Sequence, residues 1–176
     1  MGTCTKMKII VKKTNKLSNS TINQIVKMLN EHFKSDELRA ENSQKATFLS
    51  NEYYISYCVK NSSIIGAMLW WDFDNCRFIE YLCVSKNEQN NQIGSKLLDT
   101  CIVNNKIVIV EVLENKKLKN FYYKKGFVEN SYEYLPITLQ ETSNKNNYKI
   151  FSYKKGLTIT EYNSFLEIIH APEYQF

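Results

Sequence analysis

Behind the apolar run Leu82-Cys83-Val84 the chain turns polar, Ser85-Lys86-Asn87-Glu88-Gln89-Asn90-Asn91-Gln92, and then Ile93, Leu97, Leu98, Cys101 and Ile102 recur at helical spacing. A polar loop that runs from a strand end into a helix leaves backbone N–H groups unpaired, all pointing one way, at the positive end of the helix dipole. That is a cradle for an anion. Every strand-to-helix junction has some of this character and most bind nothing, so the junction needs a second signal. Further on, Lys116, Lys117, Lys119, Lys124 and Lys125 make a strongly basic stretch. Its default reading is a solvated face, with one or two of these lysines, or Lys96, available to a phosphate. Phe121 and Tyr122, taken alone, read as core packing of an amphipathic helix.

Those residues are positioned by a recognisable order of elements. An apolar strand candidate at Met7 to Val11 precedes Ile22, Ile25, Val26, Leu29 and Phe33, an apolar stripe at helical spacing with Ser20 as its expected cap. Ser35 to Ser50 reads as a second, more polar helix that would pack through Leu38, Ala46, Phe48 and Leu49. Three β-rich runs follow, Glu52 to Lys60, Ser63 to Phe73 and Arg77 to Val84, separated by turn signals at Asn61-Ser62 and Asp74-Asn75. Such short connections predict antiparallel neighbours. The run Ile107 to Leu113 is continuously apolar but for Glu111, as suits a central parallel strand, so the third β run, the helix behind the polar loop and this strand form a βαβ crossover. Lys116 to Lys125 predicts a short helix stopped by Gly126, and Phe127 to Leu135 and Tyr148 to Lys154 predict two more strands. The Asn-rich stretch from Ser143 to Asn147 reads as a loop. Thr158-Ile159-Thr160-Glu161 matches a capping box, with Tyr162, Phe165, Leu166 and Ile169 along one face of a last helix, about 158–170. That helix packs on the domain or on a second subunit, which would make a homodimer. The expected class is α/β, a mixed central sheet of about seven strands with flanking helices, in a single domain over 1–176.

With the elements in place, the junction resembles the acetyl-CoA signature of the GNAT superfamily, Arg/Gln-x-x-Gly-x-Gly/Ala, with Gln89 first, Gly94 last, and Gln92 where the middle glycine stands. The segment from Asn115 to Phe127 resembles the same superfamily's Asn-x-x-Ala-x-x-Phe-Tyr-x-x-x-Gly-Phe block, with Leu118 in place of Ala. The two motifs occur in the family's order and separation. What the resemblance implies is a GNAT fold and transfer of the acetyl group of acetyl-CoA to a primary amine, on a small molecule or a peptide, by direct attack in a ternary complex. It implies that the backbone amides of Asn90, Asn91, Gln92, Ile93, Gly94 and Ser95, behind Gln89, hold the pyrophosphate. The main chain of Leu82, Cys83 and Val84 would pair with the pantetheine arm, a form of strand addition, and Asn115 would help hold that arm. Tyr122 would sit near the sulfur, where a phenol of pKa about 10 can protonate the departing thiolate; Tyr123 is its neighbour in register. The attacking amine needs a base. Glu80, four residues before Val84, matches a glutamate of the polyamine acetyltransferases and is the first candidate; Glu111, resembling the glutamate of the ribosomal-protein N-terminal acetyltransferases, is the competitor. Either carboxylate could instead pair with a Lys or Arg. Substrates in this superfamily are chosen by the first helices, the loop between them and the last strands. The residues at or near such places are Asp36, Glu37, Glu41, Trp70, Trp71, Asp72 and Asp74, a set suited to a cationic amine.

Composition limits the alternatives. At 176 residues the chain can bury a core without staples, and 23 Lys and Arg against 18 Asp and Glu give a net charge of +5, a mild excess that does not suggest a nucleic-acid binder. The five cysteines, Cys4, Cys58, Cys76, Cys83 and Cys101, form no C-x-x-C pair and no cluster with His32 and His170, so no metal site is expected. Reduced thiols in a cytoplasm are the natural reading. Cys83 as an acyl-enzyme nucleophile lacks a histidine nearby in sequence. Met1 to Lys8 has no apolar core, Lys6 stands where a myristoylation motif wants Ser or Thr, and no stretch approaches the ~20 apolar residues of a membrane span. Two other classes stay open: a catalytically degenerate CoA-binding or protein-interaction module, to which Gln92 points, and a nucleic-acid binder using the Lys-rich helix, which carries no recognised binding motif.

Overall fold

The computed structural model describes residues 7–102, 105–134, 148–171 and 174. Strand β1 (Lys8–Lys13) leads through a 3-10 turn, Thr14–Lys16, to helix α1 (Asn19–His32); a second turn, Ser35–Glu37, precedes α2 (Glu41–Leu49). Strands β2 (Tyr53–Lys60), β3 (Ser63–Asp72) and β4 (Cys76–Val84) then form an antiparallel meander. Helix α3 (Ile93–Cys101) crosses over to β5 (Ile107–Leu113), and α4 (Lys116–Lys124), β6 (Phe127–Glu129), β7 (Tyr148–Tyr153) and α5 (Ile159–Ile169) complete the described chain. The strands make one sheet of seven in the order β1-β2-β3-β4-β5-β7-β6, antiparallel throughout except where β5 lies parallel to β4.

Local chemistry explains most of these elements. The hairpin between β2 and β3 turns through Asn61 and Ser62 at φ 50° and 63°, the left-handed pair that matches the twist of the flanking strands. The cap of α1 is Ser18, not Ser20: the Ser18 hydroxyl accepts from the Thr21 amide at 3.3 Å and its carbonyl from the Ile22 amide, which leaves Ser20 inside the first turn. The helix expected over Ser35 to Ser50 is shorter and broken by the 3-10 turn. Its inner face is Gln44, Thr47 and Phe48, at helical spacing, so Leu49 falls one position beyond that face and is 74% exposed. The strand expected from Phe127 to Leu135 ends at Glu129; Leu135 and the Asn-rich stretch lie outside the described residues.

Alternation along the strands sends side chains to two cores. Tyr53, Ile55, Leu69, Trp71 and Phe78 meet α1, α2 and α5 on one face, while Met68, Trp70, Ile79, Val108 and Val110 meet α3 and α4 on the other. The capping box of α5 is formed by Thr158 and Glu161, and Phe165 packs edge-on against Phe78 with ring centroids 5.2 Å apart. This last helix therefore covers the chain's own sheet.

Two irregularities in β4 shape the middle of the sheet. Leu69 faces Tyr81 while Trp70 faces Ile79, so Glu80 is an extra residue, a β-bulge that re-aims the strand. The parallel ladder with β5 runs only from Cys76↔Ile107 to Ile79↔Val110. Beyond it the two strands part: Tyr81–Val84 stay paired with β3 on one edge and have no ladder with β5 on the other.

Candidate active site

The gap between the parted strands is a cavity of about 280 Å³, floored by Glu80–Val84 of β4 and Val110–Leu113 of β5. A second cavity, about 410 Å³, runs along the polar loop and the start of α3, over Gln89, Asn90, Gln92, Ile93, Gly94 and Ser95. Leu82, Cys83, Val84, Gln89, Leu118 and Tyr122 line both, so the two form one path.

The loop end of this path is built for an anion. No side chain caps α3, whereas Ser18, Asn115 and Thr158 cap α1, α4 and α5, so the first amides of α3 keep their hydrogen-bonding capacity toward the cavity. Gln92 precedes the helix at φ 61°, and Asn90 stands at φ 67°. These are left-handed positions, tolerated by Asn and natural for Gly, so the missing motif glycine is felt as backbone strain at Gln92. Gly94 is not in that region, and a Cβ added there would only touch Phe121 and Val84 at 3.7 Å. Gly66 on β3 is the glycine that sequence reasoning missed. A Cβ there would come within 2.9 Å of Ile93 Cγ2, so its bare backbone is what lets the first turn of α3 close onto the sheet.

Other predicted residues divide. Of the expected cofactor set, Asn91 lies on the loop but does not line the second cavity, and Asn115 lines neither. The Asn115 side chain instead caps α4, accepting from the amides of Lys117 at 2.9 Å and Leu118 at 3.2 Å, a role that an Asn placed just ahead of a helix signals in sequence. The Val84 carbonyl is held by His32 Nε2 at 3.0 Å and accepts from Gln89 Nε2 at 3.2 Å, which leaves the rest of the strand edge open. Lys119 is bound to Glu114 and Glu129, and Lys125 to Asp99; Lys117 is the lysine of that stretch that reaches the second cavity. Among the acidic and aromatic residues expected to choose a substrate, Glu37 lines the first cavity, with its carboxylate accepting from Tyr148 at 3.1 Å. Trp70 is buried in the core, and Asp72 is paired with Arg77 and Lys106 at the far end of β3.

Tyr122 is buried among Phe121, Phe127 and Phe151, and burial holds its phenol well above the usual range, so it carries its proton at neutral pH. The Cys83 thiol is pushed by burial up to about 12, which denies it the thiolate form a nucleophile needs. The two candidate carboxylates stand on neighbouring strands in different surroundings. Glu80 accepts from Arg39 Nε at 2.6 Å, from the Tyr53 hydroxyl at 2.9 Å and from Trp71 Nε1 at 3.1 Å, and its side chain is 5% exposed. Three of its roughly four acceptor sites are taken. Glu111 accepts from the Tyr134 hydroxyl at 2.6 Å. Burial pushes its carboxyl up to about 7, against the Tyr134 bond that lowers it and with the nearby charge of Glu80 raising it further. Arg39 and Tyr134, the partners of the two carboxylates, are residues that sequence reasoning missed; both reach across large separations in the chain.

Among the described residues no group of three or more His, Cys, Asp and Glu is placed to hold a metal, and no helix is long and apolar enough to cross a membrane.

Residues 51–129 match the sequence profile of the acetyltransferase (GNAT) domain. No curated protein matches the chain. Among solved structures, a protein of Bacteroides thetaiotaomicron described as a GNAT-family acetyltransferase is 18% identical and superposes with a TM-score of 0.74 over 95% of this chain and 99% of its own. The ribosomal-protein-S18-alanine N-acetyltransferase of Escherichia coli is 14% identical, with a TM-score of 0.63 over 86% of this chain and 96% of that one. Naa50 of Arabidopsis thaliana, solved with the bisubstrate analogue CoA-Ac-MVNAL, is 15% identical, with a TM-score of 0.60 over 82% of this chain and 97% of that one. At such identities the structures establish a common fold. Residues 51–129, from the sheet centre through the βαβ crossover, therefore match a GNAT acetyltransferase domain, in a chain that shares the fold of GNAT-family structures over nearly its whole length.

Proposed function

We propose that the protein is an N-acetyltransferase that carries the acetyl group of acetyl-CoA to a primary amine by direct attack. The observation that supports this most is the joined pair of cavities: an uncapped helix start for a diphosphate on one, an acidic lining on the other, and a protonated phenol in the wall that both share. The open edge of β4 suits the pantetheine arm, whose amides would replace the pairing that β5 gives up. The amine nitrogen attacks the thioester carbonyl carbon and loses a proton to a carboxylate; the C–S bond then breaks and the sulfur takes a proton from Tyr122.

Glu111 fits the base better than Glu80. A carboxyl held near 7 is poised to accept a proton at neutral pH, while Glu80 is tied to a guanidinium and two further donors and serves to hold the wall of the cavity. Glu37, Glu80 and Glu111 line the cavity, with Arg39 offsetting one of them, so the acceptor is a cationic amine. Peptides stand among the ligands of similar folds, as the MVNAL part of the analogue bound to Naa50 illustrates.

The test is a thermal-shift titration with acetyl-CoA followed by release of free thiol across a panel of polyamines, aminoglycosides and peptide N-termini. At about 100 times its dissociation constant the ligand is expected to stabilise the fold by about 2.7 kcal/mol. Tyr122→Phe is expected to slow turnover with little change in acetyl-CoA affinity. Stabilisation without thiol release from any amine would leave a CoA-binding module in place of an enzyme.

A further inference from the structure

The second cavity, where the uncapped start of α3 would take a diphosphate, has a carboxylate in its wall. Glu88 closes the 3-10 turn Lys86–Glu88 between β4 and α3 and lines this cavity. Among the described lining residues it carries the one carboxylate, and Lys117 the one ammonium. A negative charge beside a bound dianion costs affinity, and the more so where the side chain is largely out of water, since such a charge is poorly screened. The Glu88 side chain is 18% exposed. A diphosphate can settle there only if that charge is cancelled.

Lys60, the last residue of β2, supplies the opposite charge. Its Nζ donates to Glu88 Oε1 at 2.6 Å, across 28 positions of the chain, and its own side chain is 33% exposed. Backbone pairing brings the two together. The chain turns from β2 into β3 directly after Lys60, through Asn61 and Ser62, and the Ser85 amide donates to the Ile65 carbonyl at 2.9 Å, so the entry to the polar loop is pinned beside that hairpin. Lys60 is not among the residues that line the cavity, so it acts on the ligand through Glu88. The loop's own contact with this carboxylate is weak by comparison: Asn91 Nδ2 reaches Glu88 Oε2 at 3.5 Å, and an amide brings no charge.

We propose that Lys60 is a positioning residue for the second cavity: it holds the Glu88 carboxylate against the β2–β3 hairpin and cancels its charge, which lets the cavity accept a diphosphate. The inference rests on the reading above that this cavity takes the diphosphate of acetyl-CoA. It brings into the site a hairpin that lies outside both sequence motifs, and it acts through charge, so its effect falls on the anionic end of the ligand.

The experiment measures acetyl-CoA binding by calorimetry, at low and at raised salt, for the full chain and for Lys60→Met, Lys60→Arg, Glu88→Gln and the double variant Lys60→Met/Glu88→Gln. Lys60→Met is expected to weaken binding about tenfold, and Lys60→Arg, which keeps the charge, to bind as the unaltered protein does. Adding Glu88→Gln to Lys60→Met is expected to restore affinity to within about threefold of the unaltered protein. A mere tether between hairpin and loop would give no such recovery, because the double variant lacks the ion pair too. The loss in Lys60→Met should also shrink as salt is raised. The proposal is overturned if Lys60→Met binds acetyl-CoA as tightly as the unaltered protein, or if the double variant stays as weak as Lys60→Met. Absence of acetyl-CoA binding to the unaltered protein is a different result, and it removes the reading of the cavity together with this one. Should Lys60→Met fail to fold, Glu88→Gln decides alone: with the carboxylate gone, affinity at least equal to that of the unaltered protein is expected, and weaker binding overturns the proposal.

Discussion

Two glutamates on adjacent strands, Glu80 and Glu111, carry the same functional group into one cavity and are given different work by what surrounds them. A carboxylate that holds a guanidinium, a phenol and an indole has most of its acceptor sites taken. Glu111, half-buried in the cavity wall with one phenol on it, has its affinity for a proton raised to about 7. The sign of the pH dependence follows: below about 7 the carboxyl is protonated and cannot serve as base, so kcat/KM should rise with pH through that value and level off above it. Glu111→Gln is expected to cut kcat by about 10²–10⁴ and to erase that limb, as read from pH profiles of thiol release; a profile unchanged in the variant would assign the step elsewhere. Gln92 is the other residue whose surroundings decide its behaviour. A left-handed non-glycine residue costs on the order of 1 kcal/mol, so Gln92→Gly should relax the loop and tighten acetyl-CoA several-fold by calorimetry. Weaker binding would mean that the Gln92 side chain itself holds the ligand. Little of this was legible in the sequence. Gln89, Gly94 and Tyr122, which the motifs single out, do line one cavity, because each motif's residues are neighbours in the chain. The Arg39 clamp on Glu80 and the Tyr134 bond to Glu111 join residues far apart in the chain, and no local pattern announces them.

Elements were easier to read than contacts, because capping, turn chemistry and apolar periodicity act over a few residues. The βαβ crossover, the meander and the last helix with its capping box all stand where periodicity puts them. The errors are local too: Ser18 and Ser20 are both good caps two residues apart, and Leu49 reads as inward until the helix phase is fixed by Phe48. Gly66 escapes such reading because a glycine inside a strand shows its purpose only when the packed helix is seen. Gly66→Ala sets a methyl 2.9 Å from Ile93 and 3.2 Å from Leu97, and the expected outcome is a loss of about 1–3 kcal/mol by denaturant unfolding. Since α3 is pushed off the sheet at its first turn, acetyl-CoA affinity should fall as well; an unfolding midpoint and affinity both unchanged would show that α3 closes on the sheet without needing a bare backbone there.

Over the whole molecule, a continuous seven-stranded sheet is joined at its centre by four residue pairs, Cys76 to Ile79 against Ile107 to Val110. On one side lie β1 to β4, and on the other β5 to β7. The side chains of Ile79, Val110, Tyr122 and Phe151 hold the two parts together where the backbone ladder stops. A thioester arm laid along Leu82–Val84 would extend that ladder by lending its own amides as extra rungs. Binding then becomes a mechanical event as well as a chemical one: acetyl-CoA should slow amide hydrogen exchange in β4 and β5 together, well beyond the residues it touches, and the product CoA should do so nearly as well. A protein of this build would be slackest when empty and almost as stiff after turnover as before it, so departure of the spent carrier, more than the transfer itself, would set its pace.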